Sequence, residues 1–421
     1  MKRFLSVRSL VAASLLALAC FTISASGAGA AGRTGTKAVT AAPRLPHGAK
    51  VLGSVSPAKS VSGVVVLRPR DEGALTRFIG QVTSKKSSLF HHYVTPSSFA
   101  ARFGPTSATI ASVTSQLRAD GFSTSVARDG MIVHFSAPAG KVEAAFHTGL
   151  QRVRLANGSI GQARTGAIRL PSTIAGKVSA VVGLDNLLRY HSSAFVHAPK
   201  SEQGKHAAAK TANFTHPAGS PTPCADAQAA ATAFGGLTDD QIANAYGAFG
   251  LYGEGDVASG QHVGIFELEP FATDDIQTFD ECYFGASAAA DMISRLNTIP
   301  VDGGQPEGPG SGEATLDIQD VSGFAPGANI DVYEAPNSTF GVIDQYAQMV
   351  NDATDQVIST SWGLCEQAVQ AGAPGQQQVE NLLFEQAAAQ GQSVFSAAAD
   401  QGSNDCNAFR QSVPVDPVLS V

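Results

Sequence analysis

The sequence predicts two modules in series: a compact α+β sandwich over residues 51–188, and from about residue 236 a parallel α/β sheet with helices on its faces. Three observations predict this. In the first stretch, β-branched and apolar runs interleave with segments of helical spacing. In the second, buried-strand runs alternate with helices, the pattern of a sheet covered on both sides. Between them, residues 190–235 are rich in His, Ala, Lys, Ser and Pro, the composition of an exposed linker open to proteolytic nicking.

The amino terminus, residues 1–30, reads as a secretory signal. Lys2, Arg3 and Arg8 precede an apolar run from Leu10 to about Ala25, and Ala28-Gly29-Ala30 offers a small-residue cleavage site. The run is too short and wrongly flanked for a transmembrane helix, and no other stretch approaches its length. A secreted, extracellular product, free of the membrane once the signal is removed, is therefore expected. A lipid anchor through Cys20 fits poorly with Ala17-Leu18-Ala19. Residues 31–50, rich in Gly, Ala and Thr, are expected to be disordered.

In the first module Ser62–Leu67 and Ile132–Ser136 read as strands. Asp71–Gln81 and Ser107–Asp120 read as helices, Lys141–Phe146 starts another, and Val178–Val182 closes the pattern. In the second, Asp239-Asp240 is expected to cap a helix over Gln241–Ala248. Strands follow at Gly260–Glu267, Ile330–Glu334, Gln356–Thr360 and Ser393–Ala398, with helices at Phe271–Cys282, Glu313–Gln319, Gly341–Asp352 and Gln378–Gln390.

The net charge of −7 hides a division: residues 1–210 hold 26 of the 28 Lys and Arg but 7 of the 35 Asp and Glu, a balance of +19 against −26 for the rest. Two such halves attract, and acidic pH is expected to weaken that attraction by neutralising carboxylates. The basic charges are scattered singly apart from Lys85-Lys86, which argues against nucleic acid or a membrane surface as the partner. A basic pro-segment held on an acidic enzyme accounts for the division better. With the signal removed, Cys224, Cys282, Cys365 and Cys406 remain, an even set that predicts disulfides with three possible connectivities. The absence of any C-x-x-C pair disfavours a four-cysteine zinc site.

Glu313 and Asp317 stand four residues apart in a segment of helical spacing, so both project from one face. Like charges so placed destabilise a helix unless something uses them. They suit a general base and the group that orients it, although acidic residues also favour a helix start without any chemistry. Gly308-Pro-Gly310-Ser-Gly312 follows turn residues rather than a strand, and reads as the loop that delivers Glu313, not as a phosphate cradle. No Gly-x-Ser-x-Gly elbow is present, which leaves an α/β-hydrolase without support.

Several segments together carry a resemblance. In the first half they are His91-His-Tyr93-Val-Thr-Pro96 with Phe99-Ala-Ala-Arg-Phe103-Gly104, and Val142-Glu-Ala-Ala-Phe146. In the second half they are Val263-Gly-Ile-Phe-Glu267, Gly312-Glu313-Ala-Thr-Leu-Asp317-Ile, Ser359-Thr-Ser-Trp362-Gly363 and Ala398-Ala-Asp400-Gln-Gly402. In order and spacing the chain resembles the sedolisins, the serine-carboxyl peptidases that include kumamolisin. The resemblance implies a ferredoxin-like activation domain over residues 45–190, a linker with the processing site over 191–235, and part of a subtilisin-like catalytic domain over 236–421. It implies Glu313 as general base, Asp317 as its support, and Asp400 as a protonated donor to the oxyanion, chemistry that belongs at acidic pH. It implies Ser361, Trp362 and Gly363 as lining of the cleft, disulfides Cys224–Cys282 and Cys365–Cys406, protein or peptide substrates, an intramolecular pro-domain and a monomer. At Asp400 the chain has Ala399-Asp400-Gln401-Gly402 where the family commonly has Gly-Asp-Ser-Gly.

The family nucleophile stands in a Ser-Gly-Thr-Ser that does not occur among these 421 residues, and the family's calcium site falls in the same further stretch. The expectation is thus a zymogen of a secreted, acid-acting endopeptidase, with the 421 residues by themselves inactive. The competing expectation is a non-catalytic product whose pro-domain binds or inhibits a related protease.

Overall fold

The computed structural model describes residues 35–192, 215–305 and 312–398. The first module is built on a four-stranded antiparallel sheet. Its strands are β1 (Ser60–Leu67), β2 (Ser123–Val126), β3 (Ile132–Pro138) and β4 (Val178–Val182), in the order β2-β3-β1-β4. Its helices include α1 (Glu72–Val82), α2 (Ser107–Ala119) and α3 (Ala139–Phe146). Asp71 and Thr106 cap α1 and α2 by accepting from the backbone N–H groups of Ala74 and Thr109.

The period of two along β1 decides what each sheet face meets. Val61, Val65 and Leu67 pack with Val113, Leu117, Val142 and Phe146, on the module's own helices α2 and α3. Val64 and Val66 enter a second core, shared with the other module.

That other module holds a five-stranded parallel sheet. Its strands are β5 (His262–Glu267), β6 (Leu296–Pro300), β7 (Asn329–Glu334), β8 (Val357–Thr360) and β9 (Ser393–Ser396), in the order β6-β7-β5-β8-β9. Helices α4 (Thr273–Phe284) and α5 (Gly312–Phe324) cover one face, where Ile276 and Ile318 pack on Val263, Ile265 and Val332. Helices α6 (Thr339–Asp352) and α7 (Gln376–Gln390) cover the other, where Val342, Met349, Val379 and Leu383 meet Phe266 and Ile358. The outer sides of α6 and α7 are in turn roofed by the first module's sheet, through Val64, Val66, Ala180 and Val182, and by Leu75 and Phe78 of α1. One hydrophobic core thus runs through both modules. Among the described residues β9 pairs with β8 alone, and Phe395 stands exposed on it.

Several expectations need correction. The composition of residues 31–50 predicts disorder, yet Thr36–Thr40 is a strand paired antiparallel with Ile168–Pro171, and Lys50 begins a strand paired with Leu150–Arg154. The buried Arg164 requires acceptors, and it donates to Asp185 and to the backbone carbonyl of Ala41, while Thr40 Oγ1 accepts from Val181 N at 2.8 Å. These bonds hold the segment in place. Thr238, not Asp239-Asp240, caps its helix, through a capping box with Gln241, and the helix ends at Ala245 before a second one at Ala248–Gly253. The expected linker contains the helix Ala225–Phe234, and Cys224 before it is joined by a disulfide to Cys282 of α4. That part of the linker therefore belongs with the second module. The edge strand β6 is an addition to the elements that the sequence predicts.

The shared core predicts cooperative unfolding. Leu383→Ala, in α7 beneath the roofing sheet, should lower stability by about 2–5 kcal/mol, with Trp362 fluorescence and far-ultraviolet circular dichroism reporting one coincident urea transition. Two separated transitions would show that the modules are held apart energetically.

Candidate active site

In the strand order β6-β7-β5-β8-β9, the chain reverses direction of growth between β5 and β8, and functional groups in such sheets gather beyond the carboxyl ends of the strands at that place. Glu267 ends β5, and Ser361-Trp362-Gly363 follows β8. Helix α5 delivers Glu313 and Asp317 to the same place.

Asp317 Oδ1 accepts a 2.8 Å hydrogen bond from Ser361 Oγ, and Trp362 Nε1 donates to Glu267 Oε2 at 2.8 Å. Glu267 is fully buried, and burial first, then the Asp317 charge, pushes its carboxyl well above the ordinary range. Glu267 Oε1 and Asp317 Oδ2 are both buried without another donor. A proton held by Glu267 and shared with Asp317 satisfies both oxygens, consistent with a hydrogen bond between the two side chains that favours neutral Glu267 and charged Asp317. Asp317 is itself raised by burial, against the hydrogen bonds from Ser361 and Glu267. Glu313 is raised by burial and then by the Asp317 charge, with hydrogen bonds from Ser361 and Ser192 partly opposing.

Glu269 accepts from the backbone N–H groups of Glu313 and Ala314 at 3.1 and 3.3 Å, and so caps the start of α5. This fixes where Glu313 stands. Sequence reasoning misses Glu267 and Glu269 as site residues. The available signal is a carboxylate closing an otherwise apolar strand, Val263-Gly-Ile-Phe-Glu267, which a fully buried strand has no structural reason to carry.

Trp362 contributes to the core through its side chain and to a strand pair through its backbone. Its side chain is buried in the shared core, while its backbone pairs antiparallel with Ser192, and Gly363 with His191. The segment after β4 is led there by Asn337, whose side chain accepts from Tyr190 N at 2.9 Å and donates to Tyr190 O at 2.8 Å. An open pocket lined by Tyr190, Tyr346, Trp362, Glu380 and Phe384 adjoins the strand pair. The arrangement is strand addition of the chain's own segment beside the carboxylates.

Of the residues expected at the site, the structure brings together Glu313, Asp317, Ser361, Trp362 and Gly363. Asp400 and Cys406 lie outside the described residues, as do residues 306–311 of the loop before Glu313. Cys365, partner of Cys406 in the expected pairing, is buried. Calcium requires an all-oxygen shell. The one cluster of potential metal ligands among the described residues contains His262 and stands at the opposite end of β5, so it does not suit calcium.

The carboxyls elsewhere in this module follow the same rule. Burial pushes Asp239 and Asp302 from 3.8 up to about 7, and Asp280 and Asp320 up to about 6, with neighbouring carboxylates adding to it at all but Asp280. A group whose folded pKa is raised adds stability that is complete below its unfolded pKa and lost as pH rises through the folded one. His134 acts in the same direction: burial opposes its charge, but Asp344 at 2.9 Å together with Asp302 and Asp129 outweighs it and raises the imidazole.

This electrostatic arrangement sets the pH dependence of folding. Stability to urea should fall as pH rises from about 4 to 7, contrary to the weakening by acid that the charge division suggests; a maximum at pH 8 would contradict it. Trp362→Phe keeps the ring but removes the donor to Glu267, and should cost about 1–3 kcal/mol at pH 5, whereas an unchanged urea midpoint would show that the bond contributes nothing.

A family model for the pro-kumamolisin activation domain matches residues 47–187. The chain is 30% identical over 389 residues to sedolisin of Pseudomonas sp. (strain 101), covering 89% of this chain and 60% of that protein. It is 28% identical over 348 residues to xanthomonalisin of Xanthomonas sp. (strain T-22), covering 80% and 39%. It is 31% identical over 280 residues to kumamolisin of Bacillus sp. (strain MN-32), covering 64% and 44%. The chain thus spans less than two thirds of the length of each of these relatives.

Proposed function

The chain belongs to the sedolisin family and carries its activation domain, and on that premise we propose that it is the zymogen form of a secreted, acid-acting serine-carboxyl endopeptidase. The observation that carries the reading is the placement of Glu313 and Asp317 on one helix, with Ser361 on Asp317 and the chain's own Ser192 on Glu313. The antiparallel activation sheet supports a ferredoxin-like reading of the first module, and the parallel sheet supports a subtilisin-like reading of the second.

In this reading Glu313 takes the proton from the nucleophilic serine. Its raised pKa makes it, once ionised, a stronger base than an ordinary carboxylate. Asp317, whose charged form burial disfavours and the hydrogen bonds from Ser361 and Glu267 partly restore, holds Glu313 in position, and its charge when ionised raises the affinity of Glu313 for the proton. Asp400, protonated, donates to the oxyanion. Peptide substrates lie as an added strand along Trp362-Gly363. In the zymogen the His191-Ser192 segment occupies that edge, so substrate enters only after the segment is cut or displaced. The nucleophilic serine of this reading stands in a Ser-Gly-Thr-Ser that is not among these 421 residues.

The test is to read the coding DNA past codon 421 and assay its whole product at pH 4 on a denatured protein. Release of the activation domain and proteolysis are expected, with Glu313→Gln lowering kcat at least about 100-fold while leaving folding intact. A whole product that cleaves nothing, or a Glu313→Gln variant as active as the parent, would refute the assignment.

A further inference from the structure

At the amino-terminal end of the parallel sheet, far from the candidate active site, three potential ligands converge. His262 opens β5, Asp331 lies in β7, and Asp355 lies in the turn before β8. One ligand atom from each falls within 4.8 Å of the others. Glu267 closes the same strand that His262 opens, so the two places are roughly 16 Å apart at about 3.3 Å per residue.

The register puts this cluster on one face by construction. His262 stands opposite Asn329, Gly264 opposite Asp331, and Asn297 opposite Asp331 on the far side. In a parallel sheet residues in register share a face, and residues two apart on one strand share it as well. Asp355 completes the group from above Gly264. A Cβ on residue 264 would come within 3.0 Å of the Asp355 carboxyl, so glycine is what lets that carboxyl lie against the strand.

The polar groups around the cluster are well paired except at one residue, which has weaker partners. Asp331 Oδ2 faces His262 Nδ1 at 3.2 Å, and Asp331 Oδ1 accepts from Asn297 at 2.9 Å. The Asn329 side chain stands 3.3 Å from His262 Nε2. Asp355, however, is 0% exposed, and neither of its carboxyl oxygens meets a donor in good hydrogen-bond geometry, although the Tyr333 hydroxyl and the Asp331 carboxyl interact with it. Leaving a buried carboxylate in this condition beside a second carboxylate is costly, because both charges are desolvated and repel. A cation between them removes both penalties.

We propose that His262, Asp331 and Asp355 form a binding site for a first-row divalent metal ion of the zinc type. One imidazole and two carboxylates are donors that zinc accepts, and the imidazole argues against calcium or magnesium. A tetrahedral ion with bonds of about 2.1 Å needs its ligands roughly 3.4 Å apart, a contraction that side-chain rotation can supply. Asn297 and Asn329 then serve as the outer partners that orient Asp331 and the imidazole. The His262 side chain is 35% exposed, which opens a path for the ion to enter. The site would tie β5, β7 and β8 together at the end of the sheet opposite the carboxylates of the cleft.

The test titrates zinc chloride into the full chain at pH 7 by calorimetry, with calcium chloride as the comparison and thermal unfolding measured in parallel. The expected result is one zinc per chain and a raised Tm on zinc addition. Affinity should fall at least about tenfold in both His262→Ala and Asp355→Asn. Asp355→Asn keeps the side-chain shape and removes a buried charge, so its fold is checked by circular dichroism and its Tm without zinc should not fall. Absence of one-to-one zinc binding by the parent chain would overturn the proposal. So would zinc binding retained by both variants, or calcium binding in its place.

Discussion

The rest of the structure depends on a crowd of carboxyls buried together at the carboxyl end of the parallel sheet without a cation to neutralise them. Among the described residues, no lysine or arginine figures among the groups that set the ionisation of Glu267, Glu269, Glu313 and Asp317. The composition makes this unavoidable, because the second half of the chain carries two basic side chains against 28 acidic ones. Neutral donors take the place of cations: the Trp362 indole, the hydroxyls of Ser361 and Ser192, and the backbone N–H groups that open α5. What those donors leave unmet is met by a proton. A site assembled this way is more stable where protons are available, which supports the proposed acidic setting.

The geometry of that crowd is maintained from outside. Glu269 fixes the start of α5, and α5 is fixed in turn by packing on β5 and β7. Trp362 links the cleft to the shared core, where the activation sheet roofs α6 and α7. The activation module is thus part of the structural support of the second module as well as its cover. The same chain segment that leaves the activation sheet at β4 runs past Tyr190 to pair with Trp362-Gly363, so roof and cleft are coupled by a short length of backbone. The attraction between a basic and an acidic half is expressed mainly as packing, with His134–Asp344 an ion pair across the contact.

What can be read from the sequence is whatever local pattern determines. The runs His262–Glu267 and Asn329–Glu334 are apolar enough to announce buried strands, and Glu313 and Asp317 share a helix face by spacing alone. The strand Leu296–Pro300 escapes because it lies at the sheet edge, half exposed, with Asn297 and Thr298 interrupting any alternation. The strand Thr36–Thr40 escapes because its order comes from distant partners, Arg164 and Val181, rather than from its own composition. Glu267 illustrates the same limit at the site: its neighbours in sequence describe a strand, while the indole and the carboxyl that define its chemistry stand 95 and 50 residues away.

The most direct measurement is a carbon-13 nuclear magnetic resonance titration of the Glu267 side-chain carboxyl in the folded chain. A midpoint well above the ordinary glutamate range of about 4.3, moving still higher in Trp362→Phe, is the predicted result. It would establish that the proton shared with Asp317 is a fixed part of the site. An ordinary midpoint would mean that the cluster is neutralised in some other way, and would contradict the account of why this site belongs at acidic pH.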